Sequence, residues 1–85
     1  MKTFDYVITD ELGIHARPAG LLCKLAKSFD SKVTIEKGEK CADAARVIAL
    51  MGLGVKNGDS VRVTVCDGNE EKNAALLEAF FKENL

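Results

Sequence analysis

This chain has little of what marks membrane, secreted or metal-binding proteins. Its 85 residues include no tryptophan, one proline, one histidine and three cysteines. No apolar run approaches the length of a membrane span, and the first residues, MKTFD, lack the apolar region of a secretion signal. We therefore expect no membrane insertion and a cytoplasmic location.

The three cysteines follow no recognised spacing. The number of cysteines is odd, and none of Cys23, Cys41 and Cys66 belongs to a C-x-x-C pair. This pattern is typical of reduced thiols in a cytosolic protein. Cys23 falls on a predicted helix and the other two fall in strand-like segments, so we expect each to serve in packing. With one histidine and scattered cysteines, we expect no metal site and no cofactor.

Neither sign of charge dominates the chain. The chain has 12 Lys and Arg residues and 13 Asp and Glu residues, which gives a net charge of −1 with the histidine neutral. This balance creates no overall field that would attract a polyanion, and aromatic residues make up only 6% of the chain. We therefore expect no nucleic-acid partner.

What the sequence does contain is a single histidine in the run GIHARPAG, residues 13–20, where a loop precedes a predicted helix over residues 16–28. A neutral imidazole nitrogen is a nucleophile, and a helix start offers N–H donors and the positive end of the helix dipole to an anion. The guanidinium of Arg17 can hold phosphate oxygens from two directions. The run therefore predicts His15 and Arg17 as catalytic residues.

The backbone of the same run is suited to a phosphate. Gly13 permits a tight approach to the helix. Pro18 is acceptable in the first helical turn, where donors have no intrahelical partner, although it removes one N–H group. We therefore expect Ala16, Arg17 and Pro18 to line a phosphate site. Considered alone, a single surface histidine is usually only solvated, and a single arginine more often covers a helix face.

Predicted strands and helices alternate along the rest of the chain, without a linker, a repeat or a low-complexity tract. Strands are indicated near residues 4–9, 33–36, 40–43 and 61–66, and Asn69 can cap a final helix. The order β-α-β-β-α-β-α predicts a single α+β domain over residues 1–85. In it, helices cover one face of a mainly antiparallel sheet.

The middle helix has more apolar residues than one buried face of so short a helix can hold, so some should be exposed, although all of them could pack inward. We expect Leu50 and Leu53 to be buried. Considered without relatives, the sequence favours Asp43 as the cap of this helix. Its apolar residues are Val47, Ile48, Leu50, Met51 and Leu53.

Several blocks of the chain resemble the HPr family, the histidine-containing phosphocarriers of the bacterial phosphotransferase system. They are GIHARPA at 13–19, KCADA at 40–44, LMGLGV at 50–55 and KNGD at 56–59, and their spacing is also that of the family. The resemblance covers essentially the whole chain. It implies an open-faced sandwich of four strands and three helices. It also implies that Enzyme I, charged from phosphoenolpyruvate, phosphorylates Nδ1 of His15, and that the phosphoryl group then passes to the IIA domain of a sugar transporter.

The resemblance also implies where these partners dock. It starts the middle helix near Arg46 and places Val47, Ile48 and Met51 on a surface beside the histidine loop. An adaptable apolar patch suits serial binding of different partners, and two lysines of the first helix would meet acidic partner surfaces, although they could also be merely solvated. We expect a monomer and a carrier, not an independent catalyst. The implied partner-binding residues are Ala16, Gly20, Lys24, Lys27, Arg46, Val47, Ile48 and Met51.

Two positions depart from the family pattern. In Gram-positive members a regulatory serine begins the middle helix, where this chain has Arg46, so control through that serine should be absent. Its charge is mildly unfavourable beside a helix N-terminus, and we expect it to help attract an acidic partner. Many members have Ser or Asn where this chain has Leu12, which cannot hydrogen-bond near a phosphorylated histidine.

Two other functions compete with that of a sugar-system carrier. The first is a regulatory module that is phosphorylated on His15 and controls other proteins, which Arg46 and Leu12 keep open. The second is a small hydrolase with His15 as general base. The hydrolase is disfavoured because no serine or cysteine nucleophile lies in a motif and no acid is placed to orient the imidazole.

Overall fold

The computed structural model describes residues 1–85. The four strands form one sheet in the order β1-β4-β2-β3, and every neighbouring pair is antiparallel. The α+β prediction and the order of elements are confirmed. The elements are β1 (Lys2–Val7), α1 (Ala16–Lys27), β2 (Lys32–Lys37), β3 (Lys40–Asp43), α2 (Val47–Gly52), β4 (Ser60–Cys66) and α3 (Glu70–Asn84).

The helices cover one face of this sheet because inward and outward residues alternate along its strands. On β4 the valines 61, 63 and 65 are buried while Arg62 is exposed. On the open face the Arg62 guanidinium lies 2.9 Å from the carboxylate of Asp5 on β1. The sheet therefore has a dry side and a charged side. The largest fully buried side chains are those of Ile8, Leu22, Ile35, Leu50, Val61, Val63, Val65, Leu77 and Phe81.

Helices α1 and α3 begin where the sequence predicts. Helix α1 covers residues 16–27 against a prediction of 16–28. Helix α3 follows Asn69, whose side-chain oxygen accepts a hydrogen bond from the Lys72 N–H at 3.3 Å, so the predicted cap is confirmed. Phe81 of α3 packs edge-on against Phe4 and Tyr6 of β1. No helix of the chain combines the length and apolarity needed to cross a membrane.

Helix α2 begins after Arg46, and the cap at Asp43 expected without relatives is wrong. Asp43 ends β3, where it pairs with Thr34. Its carboxylate accepts a hydrogen bond from the Ala45 N–H at 2.9 Å, and its carbonyl accepts one from the Arg46 N–H at 3.0 Å. Asp43 therefore stabilises the turn that precedes the helix. The Arg46 side chain makes no capping hydrogen bond.

The cysteines differ in their surroundings. Cys23 on α1 is buried, and its thiol donates to the Ala45 carbonyl at 3.1 Å, while Cys66 is half-buried. Cys41 is exposed, so the packing role expected for it is wrong. The reason is that Cys41 lies on edge strand β3 opposite Glu36 of β2, whereas its neighbour Ala42 points into the core.

Candidate functional site

The loop that precedes α1 is held tightly against the chain that follows α2. Gly13 has a φ of +67°, and a Cβ atom on it would lie 2.2 Å from the Val55 carbonyl oxygen. The same oxygen accepts a hydrogen bond from the Ile14 N–H at 3.2 Å. Only glycine combines this backbone conformation with this close approach. The position of His15, two residues later, follows from it.

His15 is the N-cap residue of α1. Its backbone is extended, with φ −104° and ψ −173°, and its carbonyl accepts the first helical hydrogen bond from the Ala19 N–H at 3.0 Å. The imidazole makes no capping hydrogen bond, and 36% of the side chain is exposed. The ring is therefore free to react while the backbone that bears it is fixed.

Two backbone donors lie directly after the histidine. The N–H groups of Ala16 and Arg17 donate to no protein acceptor, and Pro18 has no N–H group. The first turn of α1 contains no acidic residue that would compete for these donors. Free donors at the positive end of a helix dipole favour an anion such as phosphate.

The guanidinium of Arg17 is also without a partner. Arg17 is exposed and takes part in no ion pair and no side-chain hydrogen bond. An arginine with unoccupied donors beside a nucleophile can bind phosphate oxygens in two directions. It lines an open cleft of about 220 Å³ whose lining residues are Asp10, His15, Arg17, Pro18, Leu21, Glu83 and Asn84.

An acid does face the imidazole, although the sequence predicted none in that place. Oδ1 of Asp10 lies 3.9 Å from Nε2 of His15. The same oxygen accepts a hydrogen bond from the Leu12 N–H at 2.8 Å, which closes a turn of a kind that aspartate commonly forms. The sequence alone could indicate this turn, because aspartate is a common turn residue. The approach of Asp10 to His15 could not be predicted in this way, because the intervening loop brings it about.

The apolar residues of α2 divide between the core and the surface. Leu50 and Leu53 are buried as predicted, whereas Ile48 and Met51 are 83% and 42% exposed. Val47 is half-buried and packs against the core, so only part of it lies on the surface. Helix α2 packs against α1.

The structure distributes the remaining predicted partner-binding residues between α1 and the start of α2. Helix α1 bears four of them, and one precedes α2. Gly20 is half-buried, and a Cβ atom on it would meet no other atom within 4 Å. The exposed members of this group are Ala16, Lys24, Lys27 and Arg46.

One further group of residues carries metal-ligand atoms. The ligand atoms of Cys66, Asp67 and Glu70 lie within 4.8 Å of one another. Both carboxylate oxygens of Glu70 already accept hydrogen bonds at 2.6 Å, one from the amino group of Met1 and one from the Asp67 N–H. The Met1 bond in particular holds the pKa of Glu70 below its usual range. Glu70 therefore stabilises the turn before α3.

Comparison with known proteins connects this geometry to a family. A family model described as the PTS HPr component phosphorylation site matches residues 2–83. The phosphocarrier protein HPr of Mycoplasma capricolum is 36% identical over 74 residues, which cover 87% of this chain and 82% of that protein. HPr of Mycoplasma genitalium is 35% identical, over 99% of this chain and 97% of the relative. A solved histidine-containing phosphocarrier protein of Mycoplasma superimposes with a TM-score of 0.92 at 27% identity, over 96% of this chain and 93% of that chain.

Proposed function

Since the chain belongs to the HPr family of phosphocarrier proteins of the bacterial phosphotransferase system, we propose that it carries a phosphoryl group on Nδ1 of His15. Phosphorylated Enzyme I, charged from phosphoenolpyruvate, supplies the group, and the IIA domain of a sugar transporter accepts it. One observation carries this proposal. The half-exposed imidazole of His15 lies at the start of α1 beside two unpaired N–H groups and the unpaired guanidinium of Arg17.

The residues of the site stabilise the charge of the phosphoryl group and position the groups that react. The lone pair of Nδ1 attacks phosphorus, and the bond from phosphorus to the donor group of Enzyme I breaks, with its electron pair remaining on that group. The N–H donors of Ala16 and Arg17 and the Arg17 guanidinium stabilise the phosphoryl oxygens during transfer. Pro18 fixes the first turn that presents them. The site is open to solvent, which suits a group that must be released again.

The choice of ring nitrogen is supported by the environment of the imidazole. Nε2 is the nitrogen that faces the carboxylate of Asp10. Nδ1 is then the nitrogen left to react with a phosphoryl group.

Partners would dock on the surface formed by α1 and α2. Exposed Ile48 and Met51, with the exposed part of Val47, provide adaptable apolar contacts for partners of different shape. The exposed positive charges of Lys24, Lys27 and Arg46 would speed the approach of acidic partner surfaces. Ala16 and Gly20 of α1 would contribute to the same surface. We propose that residues 1–85 act as one domain, monomeric and cytoplasmic, without a cofactor.

The test is phosphorylation of the chain by Enzyme I and phosphoenolpyruvate, followed by intact mass and by acid sensitivity of the product. We expect a single acid-labile phosphate on the wild type and none on His15→Ala. Arg17→Ala should be phosphorylated about tenfold more slowly or worse, because it loses one stabilising donor group. An unmodified wild type, with an active reference carrier in the same assay, would contradict the proposal.

A regulatory role is the second candidate, and the residues Arg46 and Leu12 favour it. Arg46 occupies the N-cap of α2 and cannot accept the phosphoryl group that a serine would. Leu12 is 70% exposed, and its N–H is bound to Asp10. Transfer from the phosphorylated chain to a sugar-specific IIA domain separates the two roles. Rapid transfer supports the transport role, and a phosphorylated chain that no IIA domain discharges supports the regulatory role.

A further inference from the structure

The acid that faces the imidazole is held in place by its own contacts. Oδ1 of Asp10 accepts a hydrogen bond from the Leu12 N–H at 2.8 Å, and the Asp10 N–H donates to the Leu85 carbonyl at 2.8 Å. The Asp10 backbone is therefore tied to the end of α3, and its carboxylate is tied to the turn at Leu12. The distance of 3.9 Å from Oδ1 of Asp10 to Nε2 of His15 is longer than a hydrogen bond. Because the side chains of Asp10 and His15 are each about one-third exposed, a small side-chain rotation can shorten this distance.

A phosphohistidine carrier needs its second ring nitrogen protonated in both half-reactions. For Nδ1 to attack phosphorus, the proton of the neutral ring must reside on Nε2. When the phosphoryl group leaves, the electron pair of the N–P bond returns to Nδ1. If Nε2 keeps its proton, the product is a neutral imidazole, whereas without that proton it would be a strongly basic imidazolate. While phosphate is bound, a ring protonated at Nε2 carries positive charge.

We propose that Asp10 is a positioning residue for phosphoryl transfer, because its carboxylate keeps the proton on Nε2 of His15 and offsets the charge of the phosphorylated ring. This inference rests on the proposed function. The other charged groups that line the cleft are Arg17 and Glu83. Neither forms an ion pair with the imidazole, so Asp10 is its one charged partner.

The experiment separates this role from the role of Asp10 in the turn. Asp10→Asn retains an oxygen that can accept from the Leu12 N–H but removes the charge, and Asp10→Glu restores the charge. Glu11→Gln removes an exposed carboxylate from the same turn and is the matched control. The tautomer of neutral His15 is read by nitrogen-15 NMR. The spectrum is unambiguous because the chain has one histidine. Transfer rates to and from Enzyme I are measured on the same proteins.

We expect the ratio of the Nε2–H to the Nδ1–H tautomer to fall about two- to fivefold in Asp10→Asn, as is expected for a partly exposed contact with a single carboxylate. The transfer rate should fall by a similar factor and recover in Asp10→Glu, while Glu11→Gln matches the wild type. A phosphorylated wild type whose tautomer ratio and transfer rate are the same in Asp10→Asn would overturn this role alone. A wild type that takes no phosphate overturns the proposed function, and this role with it.

Discussion

At the scale of single residues, the placement of His15 depends on Gly13. The positive φ of Gly13 and its approach to the Val55 carbonyl place the loop where the Ile14 N–H can reach the same oxygen. Gly54 shares almost the same φ, +66°, but a Cβ atom on it would meet no other atom within 4 Å. Substitution of these two glycines by alanine therefore separates the free-energy cost of the backbone conformation from that of a steric clash.

Gly54→Ala should lower the free energy of unfolding by about 1 kcal/mol, because alanine is disfavoured at positive φ. Gly13→Ala should cost about 1–3 kcal/mol more, because its Cβ atom must displace backbone. Urea unfolding of both variants measures the difference. We also expect Gly13→Ala to be phosphorylated more slowly, since the loop that bears His15 must move. Equal destabilisation by the two changes would show that the approach to Val55 is easily relieved.

At the scale of elements, α2 has two functions on two faces. Leu50 is fully buried, whereas Ile48, two residues away, is 83% exposed. Residues two apart on a helix point in different directions. One short helix can thus contribute to the core and present an apolar surface outward.

The two faces predict that truncation to alanine will affect stability on one face and partner binding on the other. Leu50→Ala should lower the free energy of unfolding by about 2–5 kcal/mol, because it leaves a cavity in the core. Ile48→Ala should change it by less than about 0.5 kcal/mol. The same Ile48→Ala variant should bind Enzyme I more weakly, as titration calorimetry would measure. A stable Ile48→Ala protein with unchanged affinity would remove Ile48 from the docking surface.

At the scale of the whole molecule, Asp30 joins segments that are distant along the chain. It follows α1, and its carboxylate accepts hydrogen bonds from the Asn73 side chain at 2.8 Å and from the Asn69 N–H at 3.2 Å. These bonds, that of Asn73 foremost, hold the pKa of Asp30 below its ordinary value of 3.8. The Lys56 N–H and then Lys37 lower the pKa of Asp59 in the same way.

These carboxylates make the protein sensitive to acid. A carboxyl whose pKa is lower in the folded state stabilises the fold above its unfolded pKa, and this contribution is lost as the pH falls through the folded value. We therefore expect the melting temperature to be level above about pH 5 and to fall below about pH 4. In Asp30→Asn the melting temperature at neutral pH should be lower and its acid dependence shallower. Glu39→Gln, at an exposed position of the β2–β3 turn, is the control and should retain the wild-type slope.

Much of this molecule could be read from the order of its residues, because the relevant interactions are local. Alternation of apolar residues predicted the strands, and Asn69 predicted the start of α3, since a cap and its donor are three residues apart. The candidate site was visible for the same reason. His15, the following N–H donors and Arg17 lie within three residues, so the helix that begins there is enough to bring them together.

Contacts between distant segments could not be read in this way. Asp43 was expected to cap α2, but it pairs within the sheet and forms its own turn, and Arg46 is the N-cap residue instead. Cys41 was expected to pack, but the register of β2 and β3 turns it to the open face. The carboxylate of Asp10 lies 3.9 Å from His15 in a loop that bonds to distant segments, through the Ile14 N–H to Val55 and through the Asp10 N–H to Leu85. Sequence periodicity specifies which side of an element is apolar. Which residues meet across the core and the loops depends on how the elements pack.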